Sequence, residues 1–413
     1  MDKELVPELR FEGFTEPWEE KKLGETTTIQ SGARVHKNEW RPSGVPFYRS
    51  SDVMASHNGS ANIKAYIDKE LYESLISRTG KPNKGDVMVT GGGSVGTPYI
   101  VPNDDPLYTK DADLIWIRRS DSFDSNYLYH FFLSPIFRRY IKEISHIGTI
   151  AHYTIEQVRE TSPCFPKALL EQKEIGDILS NLDSLIAKQE KKCAALSAVK
   201  SSMLDKMFPK EGETEPELRF DGFSGPWEWV KLGELYRSVN EKNDLSFGRD
   251  KIISVANMHF NTNVNVTEDS YLLTYNVMRL GDIAFEGNHN NQFSHGRFVE
   301  NYIGDGIVSH IFKVLRPARN DHSLLYWKYA INNERTMGPI LTKSTKSSTM
   351  MHELVVADFL SESILVPPYE EQVLIGEALE ELMVNLSNER EKLDLIKQLK
   401  GAMLDKMFPK GAR

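Results

Sequence analysis

The sequence predicts a mixed α/β protein in which two globular domains and two long helices form an internal repeat. The first observation is that Met203–Lys210 returns letter for letter as Met403–Lys410, 200 positions later. The second is that a long segment with helical apolar periodicity precedes each copy. The third is that the intervening segments contain short apolar runs punctuated by Gly, Asn, Pro and Asp, which is typical of strands and turns. Together these features indicate two copies of one plan.

Each long helix carries apolar residues at alternating steps of four and three, which is the seam of a coiled coil. The predicted seam comprises Leu179, Leu182, Ile186 and Leu196 in the first helix and Leu379, Leu382, Leu386 and Leu393 in the second. Pro209 and Pro409 close the two helices, because proline cannot continue one. At about 1.5 Å per residue, each helix is roughly 55 Å long. We expect the two helices to pack together as a rod, and a helical hairpin inside a larger core is the alternative.

The beginning of the chain also repeats. Pro7–Phe14 resembles Pro216–Phe223, and each is followed by a Trp-Glu pair and by Lys-Leu-Gly-Glu. The predicted division is therefore residues 1–165 as a first domain with this box, 166–215 as a long helix and linker, 216–365 as a second domain, and 366–413 as the distal helix. The two domains share few identities, although both predict strands and a helix, over Asn126–Ile144 in the first and Ser323–Asn333 in the second.

Composition places the chain among ordinary soluble proteins. Of 413 residues, 40% are hydrophobic and 26% are charged. No apolar run approaches membrane-spanning length, so no membrane is expected. Cys164 and Cys193 form neither a disulfide framework nor a metal motif, which favours a reducing cytoplasm. The net charge of −9 does not announce a nucleic-acid binder, but binding to phosphates depends on a local basic face.

The sequence shows no catalytic motif that withstands scrutiny. Gly91–Gly96 matches GxGxxG, but a strand-like run follows it where a dinucleotide site needs a helix, so a glycine hairpin is favoured. Val366–Tyr369 looks like a methyltransferase Pro-Pro-Tyr loop, yet Val366 cannot hydrogen-bond an amino group. No GxxxxGK[ST] phosphate loop is present, and His289 and His295 lack a supporting ligand cluster. We therefore expect neither catalysis nor a metal.

The loops of both domains hold side chains suited to reading bases and phosphates, because Arg and Lys read guanine, Asn and Gln read adenine, and basic groups hold phosphates. Any one of them can equally be an ordinary solvated loop residue. The candidate DNA-binding residues are Arg34, His36, Lys37, Arg49, Ser94, Lys110, Thr149 and His152 in the first domain, and Asn257, His259, Asn288, His289, Asn291, Gln292, His295, Arg297, Lys343 and Lys346 in the second.

These motifs resemble the DNA-specificity subunit of type I restriction–modification enzymes. The resemblance rests on the repeated Lys-Leu-Gly-Glu box, on Gly85-Asp86-Val87 with its counterpart Gly281-Asp282-Ile283, and on a proline followed by Glu-Gln that begins each leucine-rich helix, at Glu171-Gln172 and Glu371-Gln372. It spans the whole chain, and the two variable domains match that family's target-recognition domains only in outline.

The resemblance implies a subunit without catalysis or cofactor of its own. Each target-recognition domain would read one half of a split, asymmetric sequence in double-stranded DNA, and the helices would form an antiparallel coiled coil. Two modification (methyltransferase) subunits would dock around the helices and bind S-adenosylmethionine. Restriction (motor-nuclease) subunits would supply ATP- and Mg-dependent cleavage. The alternative is a coiled-coil assembly scaffold whose α/β domains bind protein or carbohydrate, and the salt dependence of DNA affinity separates the two.

Overall fold

The computed structural model describes residues 5–111, 113–144, 152–261, 268–288, 290, 292–347 and 351–409. The chain divides into two compact units. The first unit comprises Met1–Glu190 with Glu391–Arg413, and the second comprises Lys191–Arg390. Each unit therefore contains its own α/β domain and a segment of both long helices. None of the described helices is long and apolar enough to cross a membrane.

The elements up to the end of the first long helix are, in chain order, β1 (Glu19–Glu20), α1 (Leu23–Thr26), β2 (Ile29–Ser31), β3 (Val45–Tyr48), α2 (Ser50–Asn58), β4 (Ala65–Ile67), α3 (Lys69–Thr79), β5 (Val87–Thr90), β6 (Pro98–Ile100), β7 (Tyr108–Thr109), β8 (Leu114–Ile117), α4 (Ser125–Leu133), α5 (Pro135–Ile144), α6 (Ile155–Glu160), β9 (Cys164–Phe165) and α7 (Leu169–Lys206). A 3-10 helix covers Lys37–Glu39.

The remaining elements are β10 (Glu228–Lys231), α8 (Leu232–Leu235), β11 (Tyr236–Val239), β12 (Ile253–Ser254), β13 (His259–Phe260), β14 (Asn276–Met278), β15 (Ile283–Glu286), β16 (Arg297–Glu300), β17 (Gly306–Val308), β18 (Val314–Pro317), α9 (Leu324–Ala330), α10 (Glu334–Ser344), β19 (Thr345–Ser347), β20 (His352–Leu354), α11 (Val356–Ser361), β21 (Ser363–Val366) and α12 (Tyr369–Lys406). Two further 3-10 helices cover Arg249–Lys251 and Asp269–Thr274.

Both units are built on a four-stranded antiparallel sheet of the same topology. The strand order is β2-β8-β5-β6 in the first unit and β11-β18-β15-β16 in the second. Alternate side chains of a strand point to opposite faces, so Val87 and Val89 enter the core that contains α4 and α7, whereas Met88 enters a separate core on the other face. In the second unit Phe285 and Ala284 divide between two cores in the same way. The shared plan predicted from the repeat is confirmed, although the two domains have few identities.

The beginning of each long helix packs closely against a shorter helix of the same unit. A Cβ built on Gly176 would lie 2.8 Å from the backbone nitrogen of Tyr127, and one on Gly376 would lie 2.5 Å from that of Tyr326. The preceding Gln172 accepts a hydrogen bond from the Asp124 N–H at 2.9 Å. The Glu-Gln and Ile-Gly signals of the sequence are therefore docking contacts that hold α7 against α4 and α12 against α9.

Within each unit the segments of α7 and α12 run antiparallel. In the second unit Lys192 pairs with Glu389 at 2.7 Å, and Arg390 Nη2 donates to Ser197 Oγ at 3.3 Å. In the first unit Lys397 pairs with Glu190 at 2.7 Å, and Lys400 pairs with Asp183. In both units the residue number rises along one helix as it falls along the other. The paired helices of the predicted fold class are thus confirmed.

The buried part of the seam is narrower than the heptad pattern predicts. Leu179, Leu379 and Leu386 are fully buried, whereas Leu182, Ile186, Leu196, Leu382 and Leu393 are half-buried. Other apolar side chains on the same helices are exposed, namely Leu185, Val199, Val384, Leu395 and Leu399. The helices accordingly present apolar surface that the chain itself leaves uncovered.

Candidate DNA-binding surfaces

In the first unit, three loops leave the same edge of the four-stranded sheet. Strand β2 ends at Ser31 opposite Ile115, and β5 ends at Thr90 opposite Leu114, the first residue of β8. The loops at this edge carry five candidates, which are Arg34, His36 and Lys37 after β2, Ser94 after β5, and Lys110 before β8. The topology thus brings together residues that lie far apart in the sequence.

Backbone hydrogen bonds hold these loops together. The Gly91 N–H donates to the Asp113 carbonyl at 2.9 Å, and the Tyr153 N–H donates to the Gly91 carbonyl at 2.8 Å. The neighbouring His152 is exposed, and its Nδ1 lies 3.8 Å from a Cβ built on Gly92. The glycine run joins two antiparallel strands, so the predicted hairpin is confirmed and the dinucleotide reading is excluded. His152 therefore belongs to the same surface.

Not every candidate in the first unit faces solvent. Arg34, His36, Lys37 and Ser94 are exposed, and Lys110 is half-buried and paired with Asp113. The Arg49 guanidinium is engaged within the protein, because its Nε donates to Asp52 Oδ2 at 2.9 Å and its Cζ lies 5.3 Å from the centre of the Trp40 ring. Arg49 thereby fixes the start of α2.

The second unit presents the equivalent sheet edge with different side chains. Strand β15 ends at Glu286, which is opposite Arg297 at the start of β16, and residues 287–296 connect them. This loop carries Asn288 and Gln292, both exposed, and the half-buried His295. Thr149 of the first domain, like His289 and Asn291 of this loop, lies outside the described residues.

Arg297 ties this loop to the neighbouring hairpin. Its Nε donates to Glu286 Oε2 at 2.8 Å, and its Nη2 donates to the Ala256 carbonyl at 2.6 Å. The hairpin carries the exposed Asn257 and His259. Arg297 thus positions the surface, whereas the amides and imidazole around it point outward from the sheet edge.

The remaining candidates flank this surface. The His295 ring centre lies 5.2 Å from that of His352, and its Nδ1 lies 3.5 Å from Thr342 Oγ1. Lys343 Nζ lies 3.3 Å from Glu362 Oε2, whereas Lys346 is exposed on β19. The His352 N–H donates to the Gly287 carbonyl at 2.8 Å, which matches the Tyr153–Gly91 bond of the first unit.

A cavity of about 470 Å³ adjoins this surface in the second unit. Its wall includes Asn257, Gln292 and Arg297, together with Glu300 and Asn332, which the sequence gave no reason to select. Glu300 is 1% exposed, and its Oε1 lies 2.8 Å from His322 Nε2. Burial raises the pKa of Glu300 well above its usual value and lowers the pKa of His322 to about 4, so this pair is neutral at pH 7.

The Gly-Asp signals belong to the opposite end of the sheet. Asp86 accepts from Arg118 Nη1 at 2.7 Å, and Asp282 accepts from Arg316 Nε at 2.9 Å. Each aspartate directly precedes the buried strand β5 or β15. These ion pairs stabilise the sheet at the end away from the candidate surfaces, which explains the repeated motif without a DNA contact.

Comparison with known proteins relates both the sequence and the fold to one family. Residues 15–197 match the family described as type I restriction modification DNA specificity domain. A putative type I restriction enzyme specificity subunit, S.HindORF215P of Haemophilus influenzae, is 27% identical over 165 residues, which are 40% of this chain and 40% of that relative. The solved S subunit of a type I restriction-modification system from M. genitalium is similar in fold, with a TM-score of 0.60, 15% identity, and coverage of 98% of this chain and 99% of that one.

Proposed function

Because residues 15–197 belong to the type I restriction modification DNA specificity domain family, we propose that this chain is the non-catalytic DNA-recognition subunit of a type I restriction–modification complex. The observation that carries the proposal is the repeated sheet edge. The two units share one topology, yet their loops at that edge differ in sequence and in side-chain type. Two different readers on one frame suit a bipartite, asymmetric target in double-stranded DNA.

The chemistry of the two surfaces supports separate half-sites. The first offers Arg34, Lys37 and Ser94, which suit phosphates and guanine. The second offers the amides of Asn257, Asn288 and Gln292, and an amide can bind adenine through two hydrogen bonds. Each unit would therefore read a different short sequence.

The helices support assembly with partners. Leu185, Val199, Val384, Leu395 and Leu399 are 43–58% exposed on α7 and α12, and exposed apolar surface of this kind is typical of protein interfaces. In this proposal two modification subunits dock on the helices and bind S-adenosylmethionine, and restriction subunits supply ATP- and Mg-dependent cleavage. This chain contributes target choice and binds none of those cofactors.

The experiment that tests the proposal measures the DNA affinity of the assembled complex as a function of salt. Phosphate contacts release counterions, so the affinity should fall steeply as salt rises. Replacing the exposed Lys37 by Ala should lower the slope of log K against log salt by about 0.9 if this side chain holds one phosphate. An affinity that does not change with salt would instead favour a protein- or carbohydrate-binding scaffold.

A further inference from the structure

The cavity of the second unit contains two buried acceptors that the protein does not satisfy. Glu300 Oε2 and Asn332 Oδ1 both line it, and neither finds a hydrogen-bonding partner among the residues that the structure describes. The other carboxyl oxygen of Glu300 is held by His322, which fixes the side chain at the cavity wall. A buried acceptor without a partner lowers stability, so these two groups indicate a ligand that donates hydrogen bonds.

The fold itself does not require polar residues at these positions. Ile283 pairs with Glu300 just as Val87 pairs with Ile100 in the first unit. Tyr326 and Tyr127 occupy the matching positions against Gly376 and Gly176, which aligns Asn332 with Leu133. The first unit thus carries Ile100 and Leu133 where the second carries a carboxyl and an amide. The polar cavity is a property of the second reader alone.

The surroundings of the two acceptors define the rest of the ligand. Lys200, Arg297 and Arg335 contribute positive charge to the wall, and Tyr302 and Tyr329 contribute aromatic rings. A ligand that complements this wall combines an amino group, a planar ring and a negative charge. Its volume of about 470 Å³ is within the ordinary range for small-ligand pockets, roughly 300 to 1,000 Å³.

We infer that this cavity binds a single unstacked nucleotide whose base carries an exocyclic amino group, adenine or cytosine, with the amino group donating to Glu300 Oε2 and Asn332 Oδ1. The inference rests on the proposed function, because Asn257 and Gln292 of the candidate DNA-binding surface form part of the same wall. A nucleotide extruded from the bound duplex and a free nucleotide share this chemistry. Hydrogen bonds to the base edge and aromatic stacking are how extruded bases are held in other pockets.

The test compares the wild-type chain with Asn332→Leu, which introduces the residue of the first unit, in the complex assembled with modification subunits. Asn320→Leu, at an exposed position outside the cavity wall, is the matched control. In one arm 2-aminopurine is placed singly at each position of the recognised duplex, and its fluorescence reports unstacking. In the other arm dAMP and dCMP are titrated calorimetrically into the complex without DNA.

For a nucleotide of the duplex, we expect at least one position whose fluorescence increase falls threefold or more in Asn332→Leu and is unchanged in Asn320→Leu. For a free nucleotide, the calorimetric affinity should fall tenfold or more in the same variant. If neither arm distinguishes Asn332→Leu from the wild type, the inference is overturned. DNA binding measured separately by anisotropy keeps the two claims apart, since a complex that binds and methylates its target while both arms are unchanged contradicts only the cavity's role.

Discussion

Arg219 donates from Nε and Nη2 to the two carboxylate oxygens of Glu371, at 2.7 and 2.9 Å. Arg10 makes the same two bonds to Glu171, at 2.7 and 3.0 Å. Each arginine lies in the repeated box at the start of its unit, and each glutamate lies in the first turn of a long helix. A bidentate ion pair therefore joins the box to the helix in both units, and it accounts for the simultaneous repetition of two distant motifs.

Replacing Arg219 by Met should lower the free energy of unfolding by about 3 kcal/mol, because Glu371 is 0% exposed and would become an unpaired buried charge. Arg10→Met should cost less, since Trp18 Nε1 also donates to Glu171, at 3.3 Å, whereas Trp227 Nε1 has no partner among the described residues. Urea unfolding of the purified chain measures both. The exposed Arg237→Met is the control, and equal losses in all three variants would contradict the role given to the pair.

Gly376→Ala should destabilise the chain by about 2 kcal/mol, because its Cβ would lie 2.5 Å from the Tyr326 nitrogen and force α12 away from α9. Gly401 lies in the same helix with nothing within 4 Å of a built Cβ. Gly401→Ala should therefore stabilise the chain by about 0.5–1 kcal/mol through helix propensity. Thermal unfolding of the two variants provides the comparison, and a shift of the same sign in both would show that close packing at Gly376 is unimportant.

The sequence predicted the repeat, the long helices and the shared plan because each leaves a periodic or literal signal. It could not resolve the break between α4 and α5, where Pro135 begins a second helix inside the segment predicted as one, Asn126–Ile144. Nor could it separate Arg49 and Arg297, whose guanidiniums are engaged within the protein, from solvent-exposed candidates. Their partners, Asp52 and Glu286, become visible only once the strands are paired.

The cavity residues were missed for a related reason. Glu300 and Asn332 belong to no motif and lie 32 positions apart. Only the sheet register that aligns them with Ile100 and Leu133 shows that a polar pair replaces an apolar one. The four-part division of the chain into 1–165, 166–215, 216–365 and 366–413 stays a prediction, as do the DNA contacts of the individual loop residues.

Leu386→Glu should destabilise the chain strongly, by about 3 kcal/mol or more, because the side chain is 2% exposed on α12 and a buried unpaired charge is costly. Leu182 and Leu382 are only half-buried, so charged residues there should cost less than the heptad pattern alone suggests. Val384 is 51% exposed on the same helix. Val384→Glu should leave the unfolding free energy within about 0.5 kcal/mol of wild type, and a loss as large as that of Leu386→Glu would refute this seam.

The stability of the chain should fall as the pH drops below about 6.5. Burial, assisted by the positive charge of Lys400, lowers the pKa of His130 to about 3. The unfolded histidine therefore binds a proton between these values while the folded one does not, so stability is present above pH 6.5 and lost as the pH falls. The slope from His130 is about 1.4 kcal/mol per pH unit.

His130→Gln should make the pH dependence shallower between pH 6 and 5, because glutamine does not titrate and can still hydrogen-bond Ser180. Urea titrations at several pH values measure this slope. The exposed His310→Gln should keep the wild-type slope. Identical slopes for wild type and His130→Gln would mean that this imidazole is protonated in the folded chain.

The most direct test of the central claim, that two unlike readers share one frame, exchanges residues 235–365 for the corresponding segment of another specificity subunit. Methylated adenines are then mapped across the genome of cells that carry the exchanged chain with its modification subunits. We predict that one half of the recognised sequence changes while the other half is retained. A change in both halves, or in neither, would contradict the account.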